Sequence, residues 1–307
     1  MFTTPILFIV FNRPSTTKQV FDRIRLIKPK YLYVAADGPR VNNSSDIQNC
    51  NQVKSIINEI DWDCELKTLY RDENLGCGKG VSQAISWFFN QVEYGIILED
   101  DCLPDISFFQ FAQEMLIKYE NNQHIMIVAG TNPIADKFPM KTSYTFGYTA
   151  GIWGWASWKR AWNYYNYTIP EWSNPEVQAQ FINFTNNPIW ENQFIDGLNK
   201  VNKGLLDTWD YQWLFYRMVN NGMGIIPKTN LISNIGFGSL ATHTFEENHE
   251  MANKSTNSLT FPLIHPNYII PNNNYDSFLI NYFSELNKIV WYKSIYYKFL
   301  TLLKSLK

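Results

Sequence analysis

Apolar runs alternate with amphipathic stretches through the N-terminal third of this chain, and that alternation restricts the folds open to it. PILFIVF, residues 5 to 11, is a continuous apolar run of the kind a parallel sheet buries on both faces. The turn Asn12-Arg13-Pro14-Ser15 follows, with Ser15 a candidate N-cap for a helix through Ile27. Strands are then predicted over Tyr31 to Ala35, near Cys64 to Leu69 and over Gly95 to Leu98. Helices over about Asp46 to Ile60 and Val81 to Val92 separate them. Such alternation predicts an α/β, Rossmann-like, mostly parallel sheet flanked by helices, with right-handed crossovers.

The last of these strands runs straight into three acids, Glu99, Asp100 and Asp101, before Pro104 breaks it and a helix starts near Asp105. Adjacent carboxylates beside a dry core repel one another, and a cation offsets that cost. Mg²⁺ and Mn²⁺ take carboxylate oxygens and keep positions open for phosphate oxygens. The carboxyl ends of strands are also where open α/β sheets bind ligands. A solvated acidic turn capping the next helix is the plainer reading of the same residues.

Beyond Ala129 the pattern loosens. Helices are predicted over 175 to 183, 190 to 202 and 209 to 221, with a short strand near Gly224 to Ile226. Residues 253 to 286 begin Asn- and Pro-rich and read as a linker. From 287 to 307, Trp291, Ile295, Phe299, Leu302, Leu303 and Leu306 share one face of a helix, with Lys293, Lys298 and Lys304 opposite. This basic amphipathic helical tail reads as a membrane-surface anchor. A helix docked on its own domain, or on a second copy, has the same pattern.

Composition removes some classes. A net charge of −2 argues against a partner held by a general basic field, so no nucleic acid is expected. Four Cys without CxxC or metal spacing point to a reducing compartment. The N-terminus lacks the basic region and cleavage site of a signal peptide, and no apolar run is long enough to span a membrane. The expected location is therefore cytoplasmic, with peripheral contact at the inner membrane face through 287–307.

Several residues outside the acidic strand carry chemistry. Arg13 and Asp37 follow the first two strands and so meet Glu99–Asp101 at one sheet edge. An Arg fork suits a phosphate and a carboxylate accepts a base N–H, although a local salt bridge or turn cap also explains each. With a metal on Asp101, the set reads as a site for a nucleoside diphosphate. GCGKG, 76 to 80, is not a P-loop, because Gly80 stands where Ser or Thr is required. Its glycines suit a tight turn beside a nucleotide, with Asn74 and Lys79 near the diphosphate; a plain loop before a helix reads the same way. TWDYQW, 208 to 213, places Asp210 between aromatics, where a carboxylate can act as general base or simply cap a helix. Trp153, Trp155 and Trp209 are candidates for an acceptor side. His243 is a lone histidine that reads as structural or as a further metal ligand.

With FNRPS, VAADGP, RDENLGCGKG, ILEDDCLPDISFF, GIWGWASW and TWDYQW in place, the sequence resembles the GT-A class of nucleotide-sugar glycosyltransferases. Within it, the likeness is to enzymes related to the eukaryotic N-acetylglucosaminyltransferase that begins hybrid N-glycans, and to their bacterial relatives. The resemblance spans about residues 4 to 245 and is weak from 163 to 205. It implies a GT-A catalytic domain over 1–252, with a nucleotide-binding half, 1–130, and an acceptor-binding half, 131–252. It implies Asp101 as the Mn²⁺ or Mg²⁺ ligand joined by His243, Asp37 on uracil, Arg13 on the diphosphate, and Glu99 and Asp100 toward donor sugar and ribose. Asp210 is implied as the base of an inverting transfer from a UDP-sugar to a hydroxyl of a glycan or lipid-linked acceptor. The setting implied is bacterial surface polysaccharide or lipooligosaccharide synthesis. A sugar-1-phosphate nucleotidyltransferase and a non-catalytic nucleotide- or sugar-binding module are the alternatives.

Overall fold

The computed structural model describes residues 1–181, 187–237 and 250–286. His243 and the 287–307 helix lie outside the described residues.

The N-terminal half is built as the alternation requires. β1 (Ile6–Val10), β2 (Tyr31–Ala36), β3 (Glu65–Tyr70) and β4 (Tyr94–Glu99) lie in the order β3-β2-β1-β4, all parallel. α1 (Pro14–Ile27), α2 (Ser44–Ile57) and α3 (Gly76–Phe89) connect them. Arg13, not Ser15, stands at the cap of α1, and Pro14 takes the first turn, where its missing N–H is not needed. Val20, Phe21 and Ile24 of α1 and Val53 and Ile57 of α2 pack on one face with Ile6, Phe8 and Val10. Ala84, Ile85 and Phe88 of α3 pack on the other face with Leu7 and Ile97. Burying each large side chain contributes about 1.5–3 kcal/mol. β3 is the edge, and its charged Glu65 and Lys67 discourage further pairing.

After β4 the chain leaves the simple alternation. The acidic turn leads into β5 (Cys102–Pro104), so Pro104 ends a second short strand. α4 (Ile106–Lys118) is capped by Asp105, whose side chain accepts from the Ser107 N–H at 2.9 Å. β6 (Ile125–Ala129), β7 (Tyr144–Gly147) and β8 (Trp155–Trp158) follow, then α5 (Lys159–Trp162), α6 (Pro175–Phe181), α7 (Pro188–Asn202) and α8 (Asp210–Val219). β9 (Met223–Pro227) and β10 (Ile232–Asn234) complete the strands. The main sheet has the order β3-β2-β1-β4-β8-β6-β9-β7, with β10 and β5 paired apart in an antiparallel ribbon.

β8 corrects the reading of the Trp-rich stretch. WASW is a strand, antiparallel to both β4 and β6 and buried at every position. Its period of two sends Trp155 to one face and Trp158 to the other, so each anchors a different core. Residues 253–286, expected as a linker, are built into the domain. Leu259 and Leu263 join the core of one face, and Tyr275 and Leu279, from a helix over 273–286, join that of the other. Apolar residues this widely spaced show no period, which is why the segment reads as unstructured. Among the described residues, no helix is long and apolar enough to cross a membrane.

Candidate functional site

The carboxyl ends of β1, β2 and β4 converge with the starts of α3 and α8. Parallel pairing of β1 with β4 sets Ile9 beside Glu99, so Arg13 comes off next to the acidic turn. Arg13 donates to Asp100 through Nη2 and contacts Asp101 Oδ2 through Nη1 at 2.8 Å. Asp100 is only 2% exposed and also accepts from the Phe11 N–H at 3.3 Å. That burial leaves it no face for a ribose. The like charges of Asp100 and Asp101 are thus offset in part from within the chain, where the sequence argument invoked a metal. Burial lowers the hold of Arg13 on its proton, but Asp100 and Asp101 outweigh this and raise its pKa.

Glu99 has no such partner among the described residues. Burial, then the charges of Asp101 and Asp100, push its carboxyl up to about 8, with Arg13 pulling the other way. Asp101 is more open than Asp100, its side chain 16% exposed against 3%. The loop after β10 folds over it: the Ile235 N–H donates to the Asp101 carbonyl at 2.9 Å. A Cβ on Gly236 would stand 2.1 Å from Asp101 Oδ2 and 2.7 Å from Arg13 Nη1, so only glycine allows this approach.

Asp37 is committed to the start of α3. Its carboxylate accepts from the N–H groups of Leu75 and Gly76 at 3.0 and 3.1 Å, and from the Asn74 side chain at 3.0 Å. Burial still raises its pKa above the usual carboxylate value. α3 begins at Gly76, so the GCGKG glycines form its first turn instead of a loop. Lys79 is exposed on that turn. Asp207 accepts from the Gly78 N–H at 3.0 Å, and a Cβ on Gly76 would meet Asp207 Oδ2 at 2.4 Å. Asp207 thus ties α3 to the start of α8.

Asp210 opens α8 and accepts at Oδ1 from the Thr208 hydroxyl and, at 3.0 Å, from the Tyr211 N–H. Cys77 lies near enough to both Asp210 and the acidic strand to feel their charges. Burial, then the charges of Glu99, Asp210, Asp207 and Asp101, push the Cys77 thiol well up. The structure thus brings Arg13, Glu99, Asp101 and Asp210 into one neighbourhood. It does not place Trp155 or Trp209 on a surface: they are 0% and 2% exposed and stack at 5.7 Å inside the core. Trp153 is partly buried, edge-on to Phe237 at 5.8 Å. Two cavities of about 200 Å³ adjoin Asp210 and share Trp190 and Leu214 with it.

Among the described residues, no three His, Cys, Asp or Glu form a ready-made metal cage. Mg²⁺ and Mn²⁺ do not require one, since one or two carboxylates plus substrate phosphates commonly hold them. The hard oxygens of Asp101 and Glu99, with a proton held on Glu99 where a cation's charge would lie, fit such an ion.

No protein-family model matches the chain, and no curated protein matches it. Solved structures give distant likenesses. A cytidylyltransferase from Leptospira borgpetersenii is 10% identical at a TM-score of 0.32, over 53% of this chain and 63% of that one. A 4-diphosphocytidyl-2C-methyl-D-erythritol synthase from Anaerococcus prevotii is 10% identical at 0.33, over 51% and 72%. Mouse xyloside xylosyltransferase 1 is 11% identical at 0.33, over 71% and 81%. Likeness at these TM-scores does not bear on what the chain does.

Proposed function

We propose that the protein is a metal-dependent glycosyltransferase that moves a sugar from a UDP-sugar to an acceptor hydroxyl with inversion. The observation that carries this reading is the meeting of Asp210 with Glu99 and Asp101 around Cys77. A base for the acceptor and oxygens for a donor-bound cation then lie close enough to act on one another's charge. Thr208 and Tyr211 both donate to Oδ1 of Asp210, which orients the carboxylate and leaves Oδ2 for the acceptor proton. Asp101 and Glu99 would hold Mn²⁺ or Mg²⁺, which supplies Lewis-acid stabilisation of the departing diphosphate. Arg13 positions Asp101 and adds positive charge where the diphosphate gains negative charge. His243 would be a further ligand of that ion, and the acceptor would belong to a bacterial surface glycan made at the cytoplasmic face of the membrane.

A panel of nucleotide sugars with Mn²⁺, read by nucleotide release and thermal shift, tests the reading. One UDP-sugar should be hydrolysed slowly without acceptor. Asp101→Ala should lose metal-dependent UDP binding. Asp210→Ala should bind donor yet lose transfer by about 10²–10⁴-fold. Release of pyrophosphate from UTP or CTP with a sugar 1-phosphate would instead identify a nucleotidyltransferase.

A further inference from the structure

Asp210, Trp213, Leu214 and Arg217 recur at i, i+3, i+4 and i+7, so they form one stripe along α8. That stripe is the floor of a cavity of about 200 Å³, closed on the other side by Thr149–Ile152 and by Leu279, Ile280 and Phe283. Arg217 is 2% exposed. Its Nη2 donates to the carbonyls of Tyr148 and Ala150 at 3.3 and 3.2 Å. Its Nε and Nη1 have no partner among the described residues, and neither has Nε1 of Trp213. A buried donor without a partner costs about 1–3 kcal/mol, and more when charged.

The orphan groups of this wall are all donors. Asp276, the acid that acts on Arg217 electrostatically, is occupied by the Tyr148 N–H at 2.9 Å and the Thr149 hydroxyl at 2.6 Å. Burial lowers the Arg217 pKa to about 10, so it remains charged at neutral pH. The cavity therefore has a carboxylate at one end and, about two helical turns away, roughly 10 Å along the axis, a cation with two donors unpartnered among the described residues. Its volume is below the range of about 300–1,000 Å³ typical of drug-sized sites, which suits a single sugar.

We propose that this cavity receives the acceptor, and that the acceptor group nearest Arg217 is an oxyanion, the carboxylate or phosphate of an acidic sugar. This rests on the reading of Asp210 as the base, and it adds the acceptor's chemical class. The hydroxyl to be glycosylated sits at Asp210 and the acid group toward Arg217. Low dielectric in the wall strengthens that attraction over what solvent would allow.

The test compares matched pairs on the full chain with UDP and Mn²⁺ present: glucuronate against glucuronamide, and glucose 6-phosphate against glucose, by calorimetry and thermal shift. At least one acid should bind about tenfold or more tighter than its neutral partner, a free-energy difference of about 1.4 kcal/mol. Which pair shows it tells carboxylate from phosphate. Arg217→Met should erase the preference while the variant still shifts its melting temperature with UDP. Equal binding of acid and neutral sugars, no binding of either acid, or a preference that survives Arg217→Met overturns the proposal. The wild-type comparison decides alone if the variant does not fold. Hydrolysis of a UDP-sugar with no acid preference would sink this inference and leave the transferase reading standing. Acid preference without any donor turnover would sink the transferase reading and leave the oxyanion site.

Discussion

Two arginines, both largely out of solvent, sit in opposite electrostatic company. Arg13 is held between Asp100 and Asp101, which raise its pKa despite burial. Arg217 lies under a cavity with two donors unpartnered among the described residues, and burial lowers its pKa to about 10. One cation neutralises charges the chain carries itself. The other is left in deficit, and a folded protein retains such a deficit where something external relieves it. Removing each should therefore have opposite consequences. Arg13→Met strands the carboxylates of the acidic turn, and losing one partner of a buried pair costs about 3–5 kcal/mol. The expected readout is a lower urea midpoint at unchanged slope. A loss below about 1 kcal/mol would place Arg13 among surface pairs and erase the contrast.

Arg217→Met should not destabilise the apo protein. An apolar side chain of similar volume escapes the desolvation cost of a buried ion, several kcal/mol, although Asp276 then loses the attraction of Arg217. Two carbonyls, of Tyr148 and Ala150, lose a donor, which holds the expected gain to about 0–2 kcal/mol. Thermal melting of the apo variant reads it directly. A loss comparable with that of Arg13→Met would mean that Arg217 is satisfied inside the fold and owes nothing to a ligand.

The same contrast governs what the sequence revealed. The parallel half and its acids were legible because continuous apolar runs ending in charge have few structural uses. Arg13 and Asp101 were placed at the right sheet edge, but not their ion pair, since pairing depends on the geometry of β1 against β4. In the other half, β8 was hidden because WASW sets two small residues between its Trp residues and is buried on both faces. That is neither a half-exposed alternation nor an aliphatic run, so Trp155 passed for a sugar platform. Arg217 gave no signal at all: on a helical pattern it reads as a solvent-facing residue near a C-terminus. Only the packing of 273–286 over α8, from a segment that looked like a linker, closes the cavity around it.

The smallest effect concerns a third carboxylate on the Arg13 side, next to Asn12. Asp46 is 1% exposed and accepts from Arg40 Nε at 2.6 Å and from Asn12 Nδ2 at 2.6 Å. Arg40 foremost, then Asn12 and the Arg40 N–H against the opposing effect of burial, lower its pKa to about 2. A depressed carboxylate contributes stability that is complete above its unfolded value of about 3.9, and loses it as pH falls through the folded value. Because the Arg40 side chain is 56% exposed, solvent screening trims the contribution to about 1–2 kcal/mol. Wild type should therefore exceed Asp46→Asn in stability by that constant amount from pH 8 to about 5, and the gap should close between about pH 4 and 2. Urea midpoints across that range measure it. A gap that widened on acidification would reverse the sign, and Asp46 would then belong with Arg217 as a buried charge in want of a partner.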